Sequence, residues 1–156
     1  MLMPYVCRSP IFFILLSLLP CGMAFASNVD TRLVVPLPKT AYLHELALMR
    51  DHLRAMAAIE RKMGQRQWLE AARIAQMHLG LSVMGSRQMR LMHRAMPAGM
   101  QQIGMAFHRQ SELFVVQLQN TAATGQVGPA FQALADVTSN CVACHAAYRF
   151  EIKPSP

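Results

Sequence analysis

Apolar residues recur along most of this chain at alternating spacings of four and three, the stripe that keeps one face of an α-helix dry. The first stripe predicts a helix from Thr40 to Met63 that stops at Gly64. Tyr42, Leu46, Met49, Leu53, Met56 and Met63 form its seam, with Glu60 as the one break. A second helix is expected from Gln67 to about Leu79, with Trp68, Ala72, Ala75 and Leu79 on one face. Gly80 and Gly85 then loosen the chain, and residues 80–96 read as a long, partly helical connection. Pro97 suits the first turn of a third helix, which runs to about Thr121 with Met100, Ile103, Phe107, Phe114 and Leu118 inward. Thr124-Gly125 breaks the pattern. Pro129 opens a last helix to roughly Phe150, on which Phe131, Leu134, Thr138, Cys141, His145 and Tyr148 share a face. No alternating β-branched run and no repeat is evident. The pattern predicts an all-α fold, an antiparallel four-helix bundle with any cofactor held between helices.

The leading residues have a different character. Residues 1–26 carry Arg8, the apolar run Ile11–Leu19 and a small-residue site at Ala24-Phe25-Ala26. That reads as a cleaved secretory signal peptide, too short and too proline-interrupted for a stable membrane span. A lipoprotein acylated at Cys21 is the rival reading, and Pro20 just before the cysteine suits it badly. An irregular lead over 27–39, a helical domain over 40–150 and a tail over 151–156 complete the expected organisation. Export implies the periplasm. Cys7 and Cys21 leave with the signal, so the remaining cysteines, Cys141 and Cys144, make no disulfide framework. Loss of Arg8 leaves 14 basic against 8 acidic residues. No basic run or aromatic-interleaved stripe suggests nucleic acid. The excess suits solvated helix faces or docking to an acidic redox partner.

The chemistry concentrates in Cys141-Val142-Ala143-Cys144-His145. Cys-x-x-Cys-His is the attachment signature of c-type haem. Two thiols about a helical turn apart can bond the two vinyl groups of one porphyrin, and the adjacent imidazole can bind its iron from one side. The same cysteines could make a redox disulfide or half a zinc site. A redox dithiol belongs at a helix N-terminus beside a βαβ pattern, and zinc needs a second knuckle; neither is present in the sequence. The expected cofactor is one covalent haem c with its iron, Cys141 and Cys144 as thioether donors and His145 as axial ligand. Only eleven residues follow His145, too few to loop round the ring. Any sixth ligand must therefore come from upstream, most plausibly from the first helix.

The chain here resembles the class II cytochromes c, which include cytochrome c′ and the cytochromes c-556. The likeness runs from about Thr40 to Phe150 and is strongest over Cys141-Val142-Ala143-Cys144-His145-Ala146-Ala147-Tyr148-Arg149. Leu48-Met49-Arg50-Asp51-His52 looks like the Leu-Met-Lys-Asp segment of the cytochromes c-556, whose methionine is the sixth iron ligand. The resemblance implies a four-helix bundle with the haem between first and last helices, Met49 as distal ligand, and dimers as a common state of relatives. Many class II members carry a basic residue about a turn before the sixth-ligand position, where this chain has Glu45.

The residues leave the ligand question open. A methionine on a seam is often flexible core filler. Met56 could serve if the haem sat lower, His52 could give bis-histidine ligation, or the iron could stay five-coordinate and bind NO or CO. A His/Met iron is coordinatively full and suits single-electron transfer, which is the expected function. Arg149, four residues past His145, is placed to meet a propionate, and Tyr148 to pack beside the haem. His44, His78, His93 and His108 show no convergent spacing. The methionines from Met77 through Met84, Met89, Met92, Met96 and Met100 to Met105 could bind Cu(I), a metal-handling alternative, or fill a core around a bulky cofactor. No nucleophile–base pair, paired carboxylates or phosphate loop can be assembled, so no enzyme is expected.

Overall fold

The punctuation residues do what their backbones dictate. Pro38, extended at φ −54° and ψ 147°, precedes the first helix, and Tyr42 N–H donates to its carbonyl at 2.9 Å. Pro97 plays the same part for the third helix, with Gln101 N–H donating to its carbonyl at 3.0 Å. Gly125 ends that helix in the left-handed region at φ 73°, where glycine carries no Cβ penalty. Arg66 takes the left-handed position (φ 58°) in the corner after the first helix.

The computed structural model describes residues 29–85, 92, 94 and 96–154. The expected signal segment, Met89 and His93 lie outside them. Strand β1 (Leu33–Leu37) leads into α1 (Lys39–Gly64) and α2 (Trp68–His78), followed by a 3-10 turn over Leu81–Gly85. Then come α3 (Ala98–Thr124), α4 (Gly128–Ala147) and β2 (Tyr148–Ile152). No helix among the described residues is long and apolar enough to cross a membrane.

Two expectations need correction. The fold is mostly helical but not all-α, because the irregular lead and the end of the last helix pair as a two-stranded parallel sheet. Leu33 lies opposite Tyr148 and Leu37 opposite Ile152, and Lys153 N–H donates to the Leu37 carbonyl at 2.7 Å. Alternation along β1 buries Val35 and Leu37, each 2% exposed, and turns Pro36, which has no N–H to give, outward. The last helix therefore stops at Ala147, and Tyr148 swings to φ −131°, ψ 151°.

The second correction concerns which faces are buried. Along α1 the inward positions are Ala41, Glu45, Ala55, Ile59 and Met63, while Leu53 is 70% exposed. Along α4 they are Ala130, Ala133 and Val137, while Phe131 and Thr138 face solvent. Both stripes sit about one residue from the expected one. The faces of α2 and α3 are as expected, extended by Ala71 on α2 and by Ser111 and Val115 on α3.

The core joins Ile59, Leu79, Phe114, Leu118 and Val137, all fully buried, across the four helices and the α2 end. Ala71, Ala72, Ala75, Ala130 and Ala133 let neighbouring backbones approach closely. A second cluster gathers Val35, Leu37, Ala41, Met92 and Met100, with Tyr42, Met96, Cys144, Tyr148 and Phe150 against it. Gly99 makes one close approach possible, since a Cβ there would lie 2.5 Å from the Tyr148 hydroxyl. Each helix packs on the next, α1 on α2, α2 on α3 and α3 on α4. The first and last helices form no such interface.

Candidate functional site

Between α1 and α4 lies a cavity of about 120 Å³, open to solvent. Cys141, Cys144 and His145 of α4 line one wall, and Glu45, Leu48, Met49 and His52 of α1 line another. Met84 of the 3-10 turn, Met92 and Met96 of the connection, and Met100, Ile103 and Phe107 of α3 close the remainder. The fold thus brings Met49 and the Cys-x-x-Cys-His segment, some ninety residues apart in the chain, to one space.

Helical geometry explains the α4 wall. Cys141 and Cys144 follow Val137 on the buried stripe and are half-buried, whereas His145 stands one residue further round and is exposed at the cavity rim. Both thiols are free, and burial pushes both up from the ordinary thiol value; the Cys141 sulfur raises Cys144 further. They sit at the C-terminal end of α4, where the helix dipole disfavours a thiolate. A redox dithiol requires the opposite placement. Among the described residues no three His, Cys, Asp or Glu side chains are grouped to hold a metal ion.

The α1 wall holds two polar groups that the sequence left unremarked as a pair. Glu45 is 1% exposed, and its Oε1 has no hydrogen-bond partner among the described residues. Burial raises its carboxyl above the usual value, against the opposing pull of His44. A buried Nε2 of His52 likewise has no partner there. Burial chiefly, then repulsion from His108 and His78 against attraction to Asp51, lowers the His52 imidazole to about 4. Its ring lies 5.2 Å from Phe107, which in turn stands edge-on to His108 at 5.1 Å. His108 is buried, lines the same cavity and donates from Nδ1 to the Leu79 carbonyl at 2.8 Å. Sequence spacing had separated it from the site; its position beside the inward Phe107 was the available signal.

Other predicted residues fall elsewhere. Met56 packs against the main core and does not line the cavity, so it is not positioned as an alternative ligand. Arg149 is in β2, not a turn along from His145, and its guanidinium meets Glu151. Tyr148 has also left the helix, but packs in the cluster that includes Cys144. His78 bridges to Asp51 of α1 at 2.9 Å, and His44 is exposed. Of the methionine set, Met84, Met92, Met96 and Met100 line the cavity, whereas Met77 is 56% exposed.

Glu45 carries a stability prediction. A carboxyl whose folded value is raised takes up a proton on folding, so its contribution is complete below the unfolded value near 4.5 and is lost as pH rises through the folded value. Glu45→Gln keeps the shape and removes the titration. Urea midpoints should fall for the parent as pH rises above about 4.5 and fall less for the variant, leaving the variant the more stable of the two at the upper end. Parallel pH profiles would show that Glu45 ionises without penalty.

Comparison of the chain with family models, with curated proteins and with solved structures finds no match.

Proposed function

We propose that this protein is an exported c-type cytochrome of the class II kind, an antiparallel four-helix bundle that carries one covalent haem and passes single electrons. The observation that carries the reading is the shared cavity: two thiols and an imidazole on α4 face a methionine on α1 across an apolar space. A bulky ring wedged there would account for first and last helices that do not pack on one another. The resemblance over 141–149 and 48–52 supports the same assignment.

In this reading Cys141 and Cys144 would hold the ring on α4, and His145 and Met49 would supply the protein ligands to its iron. Such a group, when bound, cycles between ferric and ferrous states, and a Met/His pair raises its potential. The protein's part is to hold both ligands on rigid helices, so that little moves when the charge changes. Phe107, Ile103 and the methionines give the cavity an apolar lining. The chain's basic excess would draw an acidic redox partner. His145 is exposed at the cavity rim, where an acidic partner would approach.

One further observation favours a second reading. Met49, Met84, Met92, Met96 and Met100 line a single cavity, and soft thioethers are a donor type suited to Cu(I). Absorption spectra of the exported protein in ferric and ferrous form, with and without CO, separate these readings. A low-spin spectrum unmoved by CO supports the six-coordinate electron carrier. A high-spin, CO-binding spectrum would identify a five-coordinate gas-binding centre, and stoichiometric copper without haem would reverse the order.

A further inference from the structure

The unpartnered imidazole on the α1 wall has no role in a His/Met centre. We propose that His52 is a reserve iron ligand, poised to take the sixth position when the Met49 sulfur is lost. The proposal rests on the haem reading above and concerns which groups of this chain can reach the iron.

Three observations converge on it. Met49 and His52 line the same cavity from the same helix, three residues apart, and so lie on neighbouring positions of one face. Their Cα atoms differ by about 4.5 Å along the axis, but side chains on a helix lean toward its N-terminus, which carries the His52 ring back over the turn that holds Met49. The second observation is the buried Nε2 with no partner among the described residues. An orphaned buried polar atom of this kind is costly to leave without a partner, and a bond to a metal removes that cost. Third, the burial that suppresses its protonation leaves a neutral imidazole, the form that binds metal.

The other groups near the cavity are less well placed. Met56 belongs to the main core. His108 comes from α3 and is anchored by its Nδ1 donation to Leu79. Glu45, a turn before Met49, is a hard oxygen donor whose carboxyl burial raises above its ordinary value. A reserve imidazole would have a functional consequence, because oxidation of Met49 to its sulfoxide would not open the iron to NO, CO or peroxide.

The test uses the exported, haem-loaded protein and three variants, Met49→Ala, His52→Leu and the double substitution, read by ferric electron paramagnetic resonance and ferrous CO titration. His52→Leu should keep the parent's low-spin signal and covalent haem, which establishes that the substitution is tolerated. Met49→Ala should remain low-spin with a bis-imidazole signature, and the double variant should be high-spin and bind CO freely. If His52 holds the iron about nine-tenths of the time, CO binding to Met49→Ala should be roughly tenfold weaker than to the double variant. Equal CO affinity and a high-spin signal in both would overturn the proposal. So would a bis-imidazole signal in the parent, or one that persists in the double variant and points to His108. A chain with no covalent haem is recognised on a gel beforehand; it would overturn the haem reading itself and this assignment with it.

Discussion

Replacing Cys141 and Cys144 together by serine should abolish haem that survives denaturing electrophoresis, while the parent chain gives a haem-stained band at its mature mass. Thioether bonds do not dissociate in detergent, whereas a haem held only through His145 and Met49 would be released when the helices unfold. Serine cannot form the link but fits the helix. Ser139 of α4 already donates to the Ala135 carbonyl at 2.8 Å, the i−4 pattern that Cys141 approximates toward Val137 at 3.8 Å. The loss should therefore be chemical, with the helical signal in circular dichroism retained. Cys144→Ser alone should leave one link and a poorly matured product with a fainter band. A stained band of parental intensity from the double variant would remove the foundation of the proposed function.

Phe114→Ala should destabilise the fold by about 3–5 kcal/mol, a large share of the roughly 5–15 kcal/mol that holds a domain of this size together. Phe114 is the largest of the fully buried side chains. Its cluster is rich in Ala71, Ala72, Ala75, Ala130 and Ala133, whose methyl groups cannot move into the space left behind. Phe114 does not line the α1–α4 cavity, so the visible spectrum of any bound haem should be unchanged while the urea midpoint falls. A loss below about 1 kcal/mol would mean that the helices can close over the gap, and that the core is less tightly determined than its burial implies.

Helix positions were legible to within a few residues wherever proline and glycine bounded a run. Pro97, Gly125 and Pro129 mark ends that elementary backbone sterics impose. The inward faces of α1 and α4 were harder to read, because a periodic stripe weights bulky residues. Leu46, Leu53 and Phe131 drew the expected faces toward themselves, yet the close contacts are made by Ala41, Ala55, Ala130 and Ala133. Small residues are selected where backbones approach, and hydrophobicity alone does not distinguish that from exposure. Glu45 was visible as a charge near the seam, but its burial is set by tertiary packing and not by neighbours along the helix.

The sheet was illegible for a different reason. Tyr148 and Phe150 continue a helical apolar period, and Leu33–Leu37 contains a proline, so neither segment announces a strand by itself. Each becomes one only through the other, across more than a hundred intervening residues. Pairing of that range lies beyond any local window.

Local chemistry along the chain was enough to specify four helices, the proline and glycine stops between them and the thiol–thiol–imidazole grouping, since each depends on neighbours within a turn or two. Tertiary packing alone decided that Met49 shares a cavity with that grouping, that Met56 and Arg149 do not, and that His52 and His108 turn toward it. Those outcomes depend on how helices rotate and approach, which is set by the fit of side chains contributed from distant parts of the chain.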